Sequence, residues 1–135
     1  MTIRIGVRVL DAIGNTPLVE LSRIVPKGSA RVVAKLESAN PTGSMKDRMA
    51  RALVECAAAD GRLPPGATVV EYTAGTTGIS LAFVCAALGY KTHFVFSDAF
   101  SEEKRFTMRA YVIRPRSKKI CPNFERSVTD RQPVF

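Results

Sequence analysis

The sequence has one histidine and only three cysteines. A lone His93 leaves no material for a histidine-based metal cluster, nor for a Cys–His pair backed by a second histidine. It falls in "KTHFVFS" (91–97), which reads as a strand, and its expected role is structural. Cys56, Cys85 and Cys121 are odd in number and widely spaced. Such a set argues for buried or free thiols in a reducing compartment rather than for disulfides or a metal site. No apolar run is long enough to cross a bilayer. The opening stretch "MTIRIGVRVLDAIG" lacks the continuous apolar segment of a secretory signal, so the cytoplasm is the expected location. Phosphate-binding P-loop spacing is absent, and so is Gly-x-Gly-x-x-Gly.

What remains is ordinary globular composition. The 135 residues are 46% hydrophobic and 24% charged, enough for one domain with a modest core. The net charge of +8 suggests nucleic acid until it is localised. Residues 1–103 carry 11 basic and 10 acidic side chains, whereas residues 104–135 carry 9 and 2. The excess therefore belongs to the last quarter, a basic, aperiodic tail from 112 to 135 that is expected to be poorly ordered. Without interleaved aromatics it reads as a solvated segment rather than a nucleic-acid module.

Periodicity divides the rest. "NTPLVELS" (15–22), "SARVVAKLES" (29–38), "ATVVEY" (67–72) and "KTHFVFS" read as strands. A helix is predicted over 44–60, with Thr42 or Ser44 as N-cap and Gly61 as its stop. On it, Met45, Met49, Leu53 and Cys56 form an apolar stripe expected to pack in the core. "ISLAFVCAALGY" (79–90) is apolar nearly all round, which predicts a helix buried between layers and capped by Gly89. "SEEKRFTMRAY" (101–111) reads as an amphipathic helix with Ser101 as N-cap. Alternating strands and helices predict an α/β fold, three-layered, with a mostly parallel sheet and flanking helices. Ligands of such sheets sit beyond the C-terminal strand ends, against helix N-termini.

Two strand-to-helix loops fall on that edge. Lys46 lies in the first turn of its helix, beside the positive end of the helix dipole, where an ammonium ion is poorly placed. Positive potential and desolvation both disfavour the charged form, and a neutral amine is a nucleophile toward aldehydes and a base toward acidic C–H bonds. Neighbouring Asp47 suits the first helical turn, and Arg48 could pair with a nearby acid. The second loop, "TAGTTG" (73–78), has small residues that admit a ligand closely and a following helix whose free N–H groups suit a carboxylate or phosphate. An amine opposite a carboxylate cradle suits an amino-acid substrate held as a Schiff base. Pyridoxal phosphate is the cofactor that would exploit it.

Three stretches, "IGNTPLVEL" (13–21), "ESANPTGSMKDRMA" (37–50) and "EYTAGTTGISLA" (71–82), resemble the successive signatures of the cysteine synthase and cystathionine β-synthase family, the fold-type II pyridoxal phosphate enzymes. The resemblance covers roughly residues 10–111, which makes residues 1–111 the N-terminal part of such a domain. It implies that Lys46 forms the internal aldimine and then acts as base at the substrate α-carbon. Thr73, Ala74, Gly75, Thr76 and Thr77 would hold the substrate carboxylate, with Thr76 also near the cofactor's ring hydroxyl. The implied reaction is β-replacement on an activated serine, O-acetylserine plus sulfide giving cysteine. A small amino acid is the implied substrate, and the complete enzyme would be a homo-oligomer. The family's usual loop is Thr-Ser-Gly-Asn-Thr-Gly; here Ala74 loses a hydroxyl, and Thr76 keeps a donor on a shorter, branched side chain. The family's phosphate cup comes later than the point where this chain loses its pattern. Activity is therefore expected to be impaired, and the alternative is a non-catalytic fragment or interaction remnant of such an enzyme.

Overall fold

A computed structural model describes residues 8–73, 75–95 and 102–111. The 112–135 tail, Cys121, Ser101 and Ala74 lie outside the described residues. In chain order come a 3-10 turn Val9–Ala12, strand β1 (Leu18–Glu20), strand β2 (Val33–Lys35), a 3-10 turn Glu37–Ala39 and helix α1 (Lys46–Ala59). Strand β3 (Thr68–Tyr72), helix α2 (Thr76–Leu88), strand β4 (Lys91–Val95) and helix α3 (Glu102–Tyr111) follow.

The α/β character is borne out, but the expected single, mostly parallel sheet is corrected. Two small sheets form instead. β1 and β2 pair antiparallel, with Val19 opposite Ala34. β3 and β4 pair parallel, with Val70 opposite His93. The parallel pair has the helical crossover that such neighbours need, β3–α2–β4; β2–α1–β3 has one too, but those two strands do not pair among the described residues. β1 and β2 are joined through turns alone. β2 is also shorter than the predicted 29–38, because the chain turns at Glu37, whose carbonyl accepts the Asn40 N–H at 3.2 Å.

α2 is the centre of the core. It packs against α1, α3, β3 and β4. Leu81, Ala82, Phe83, Val84 and Cys85 are all buried, as the all-round apolar pattern predicted. Fully burying a side chain such as leucine, valine or phenylalanine is worth about 1.5–3 kcal/mol, so this helix carries much of the hydrophobic stabilisation. Burial pushes the Cys85 thiol up to about 11, which leaves it protonated and inert. Gly89 ends α2 in the left-handed conformation, φ 80°, and Gly61 does the same after α1, φ 78°. α2 starts at Thr76, three residues before the predicted 79.

The third layer is not seen among the described residues. Alternation along the parallel pair puts Thr68, Val70 and Tyr72 of β3 with Lys91 and His93 of β4 on one face, and all five are exposed. The expected core stripe on α1 is also corrected. Met45 is 60% exposed and Leu53 56%, and Cys56 is exposed too. The face turned inward is Asp47, Ala50 and Val54. Small residues let α1 approach α2 closely, and the Asp47 side chain fixes which face is used, as the site shows.

Candidate active site

α2 follows closely on β3, α1 follows β2 through the Glu37–Ala39 turn, and a polar lock joins the first turn of α1 to the second turn of α2. The Asp47 carboxylate, wholly buried, accepts hydrogen bonds from the Thr42 N–H at 2.8 Å, from the Thr42 hydroxyl, and from the Ser80 hydroxyl at 2.6 Å. Thr42 and Ser80 are themselves 3.2 Å apart. Asp47 thus ties the loop before α1 to the second turn of α2. Negative charge in a first helical turn is favoured by the dipole, which helps hold it there. Thr42 is therefore not the N-cap expected of it. The residue at the cap position is Met45, and Ser44 does the capping by accepting the Lys46 N–H at 3.1 Å.

A second cluster joins the first two of the three sequence signatures. Arg48 donates to Glu37 from Nε at 2.8 Å and from Nη2 at 3.0 Å. Thr16 donates to the same carboxylate at 2.6 Å, and Asn40 Nδ2 at 2.9 Å. Asn40 Oδ1 accepts the Gly14 N–H at 2.9 Å. Gly14 itself has φ +92°, and a Cβ there would lie 2.9 Å from Arg48 Nη1, so the position demands glycine twice over. The expected acid for Arg48 is thus Glu37. Hydrogen bonds from Arg48, and then from Thr16, hold the Glu37 carboxyl down from 4.5 to about 2. A depressed carboxyl stabilises the fold above its unfolded value and loses that contribution as pH falls through the folded one. Acid titration of the urea midpoint should therefore fall more steeply between pH 4.5 and 2 in the native chain than in Glu37→Gln. Identical profiles would contradict the pairing.

Above these supports sits the site. Lys46 is the first residue of α1, half-buried, and its Nζ makes no hydrogen bond or ion pair among the described residues. Thr73 is 4% exposed; its Oγ1 accepts the Gly78 N–H at 3.0 Å and the Gly75 N–H at 3.4 Å. Its hydroxyl oxygen therefore shapes the turn from inside. Thr76 is exposed and Thr77 half-buried. As the first two residues of α2, their N–H groups have no acceptor among the described residues. The structure thus brings together the starts of the two helices that carry Lys46 and the threonine turn. The supporting residues Glu37, Asn40, Thr16 and Ser80 were not singled out from the sequence. Their only signal was membership in the three signatures.

Among the described residues, the start of α1 thus carries an unpaired primary amine and the start of α2 carries open N–H groups. The family pattern described as "Pyridoxal-phosphate dependent enzyme" matches residues 9–113. A cysteine synthase of Staphylococcus aureus (strain Mu50 / ATCC 700699) is 48% identical over 103 residues, 76% of this chain and 33% of its own. An O-ureido-L-serine synthase of Streptomyces lavendulae is 50% identical over 103 residues, 76% of this chain and 32% of its own. A crystal structure of an O-ureido-L-serine synthase superposes with a TM-score of 0.76 at 47% identity, covering 80% of this chain and 34% of that one. O-acetylserine sulfhydrylase isoform 3 from Entamoeba histolytica gives 0.74 at 38% identity, covering 82% and 36%. The chain belongs to the family of pyridoxal-phosphate-dependent enzymes, and it spans about a third of the length of the curated relatives it matches. The residues present fit that cofactor in two respects: a free amine for its aldehyde, and small residues with open N–H groups for close approach of an anion.

Proposed function

We propose that this chain carries the amine and the carboxylate cradle of a cysteine-synthase-like enzyme. The reaction is β-replacement on an activated serine, with O-acetylserine and sulfide giving cysteine. The cofactor, when bound, supplies an electron sink for negative charge at the substrate α-carbon. Every other part falls to named side chains. Lys46 Nζ would hold the cofactor, and the same amine would serve as the base that takes the substrate α-proton. Thr76 and Thr77 receive the substrate α-carboxylate on their N–H groups and hydroxyls. Thr76 would also approach the cofactor's ring hydroxyl, and Gly75 keeps the turn free of side-chain bulk. Ala74 leaves the cradle without the serine hydroxyl of the family's usual Thr-Ser-Gly-Asn-Thr-Gly loop. A small amino acid is the substrate, and the complete enzyme is a homo-oligomer.

The observation that carries this reading is the Thr42–Asp47–Ser80 lock, which fixes the start of Lys46's helix against the start of the cradle's helix. Within the described residues no helix is long and apolar enough to cross a membrane. The test is visible absorbance on titration with pyridoxal phosphate, with Lys46→Ala alongside. A protein-dependent band absent from Lys46→Ala is expected. An equal band in both proteins would overturn the assignment of Lys46.

A further inference from the structure

Lys104, in the first turn of α3, has an unusual setting. The position that a Cβ on Gly75 would occupy lies 3.2 Å from Lys104 Nζ, 3.5 Å from its Cδ and 3.7 Å from its Cε. The lysine stem therefore lies over Gly75, and the ammonium lies at the threonine turn. Among the described residues Lys104 has no hydrogen bond and no ion pair. Glu103, beside it on α3, is exposed and does not pair with it. Two helix dipoles also oppose the charge, because Lys104 sits at the start of its own helix and against the start of α2. A cation held without a counter-charge at the positive ends of two helices is unfavourable unless an anion comes to the same place.

We infer that Lys104 is a specificity-determining residue of the cradle: its ammonium, poised over Gly75, selects ligands that present a carboxylate to the Thr76–Thr77 turn. The inference rests on the cradle proposed above and extends it to a third helix. Lys104 supplies the charge, and the turn supplies directed N–H groups. An ammonium–carboxylate hydrogen bond is about twice as strong as a neutral one. Removing it should weaken carboxylate binding without disturbing Lys46.

The test is backbone-amide NMR on the whole chain without cofactor, following Thr76, Thr77 and Gly78 during titration with L-serine and, separately, with L-serinamide. L-serine should give saturable shifts confined to these amides, and L-serinamide should give none. Lys104→Met should weaken L-serine binding by about fivefold to tenfold, and Lys104→Arg should keep it within about twofold, since only the charge is restored. The spectrum of each variant reports its fold directly. Unchanged L-serine binding in Lys104→Met overturns the inference, as does equal binding of L-serinamide or no shift with either ligand. Failure of Lys46 to capture pyridoxal phosphate would count against the proposed role of Lys46 and leave Lys104 standing; native-like L-serine binding in Lys104→Met counts against Lys104 alone, and no shift with either ligand counts against the cradle as well.

Discussion

Asp47→Ala is expected to cost the chain a large share of its stability. The carboxylate is wholly buried and receives three hydrogen bonds. Hydrogen bonds to a charged group contribute about 1.5–3 kcal/mol each, although such terms do not add in full. The substitution strands the Thr42 N–H and frees the Ser80 hydroxyl. The two hydroxyls can still meet each other, which offsets part of the loss. A net cost of about 3–5 kcal/mol follows from the lost hydrogen bonds, the stranded N–H and the cavity the side chain leaves. Domains of this size are stable by only about 5–15 kcal/mol in total. The midpoint of thermal unfolding should fall by on the order of 20 °C. A fall of a degree or two would mean that α1 and α2 are joined by apolar packing alone, and that Asp47 does not set the position of Lys46.

Gly78→Ala is the second large effect, and its sign is the informative part. In an exposed helix, alanine in place of glycine gains about 1 kcal/mol. Here a Cβ would lie 2.5 Å from Thr73 Cγ2 and 2.6 Å from Met108 Sδ. Neither neighbour can yield easily. Thr73 is held by its bond to the Gly78 N–H, and turning its χ1 would break that bond. Met108 is 2% exposed and packed in the core. Overpacking of this kind costs about 1–3 kcal/mol, and loss of the Thr73 bond adds about 1 kcal/mol. The change should therefore destabilise, by about 2 kcal/mol net, and should also open the turn that carries Thr76 and Thr77. Chemical denaturation reads the first effect and amide shifts in the turn read the second. A stabilised Gly78→Ala protein would show that α3 does not press on the turn as described.

Much of the fold was legible because helices and strands announce themselves locally. The apolar run of α2, the glycines at 61 and 89, and the strand patterns of β3 and β4 sit where periodicity placed them. The face of α1 was not legible. Met45, Leu53 and Cys56 have the spacing of a core stripe, yet a helix is turned by its tightest contacts. Ala50 allows close approach, and Asp47 finds hydroxyls on α2 and in the preceding loop. Both partners are remote in sequence or polar, so hydrophobic period does not register them. The same holds for sheet pairing: β1 and β2 each read as strands, but direction depends on a connection whose path is not periodic. In the site, Lys46 stood out because its charge conflicts with its position. Glu37 and Ser80 did not, because an acid in a loop and a serine in an apolar helix are unremarkable until their partners are known. Lys104 was hidden for a similar reason, since nothing local says that α3 reaches Gly75.

The most direct test of the central claim is to reduce the protein with borohydride after adding pyridoxal phosphate, then locate the added mass by peptide mapping. The account predicts one label per chain, on Lys46, with Lys46→Ala left unlabelled at the same cofactor concentration. Label scattered over surface lysines, with Lys46 no more modified than the rest, would contradict it.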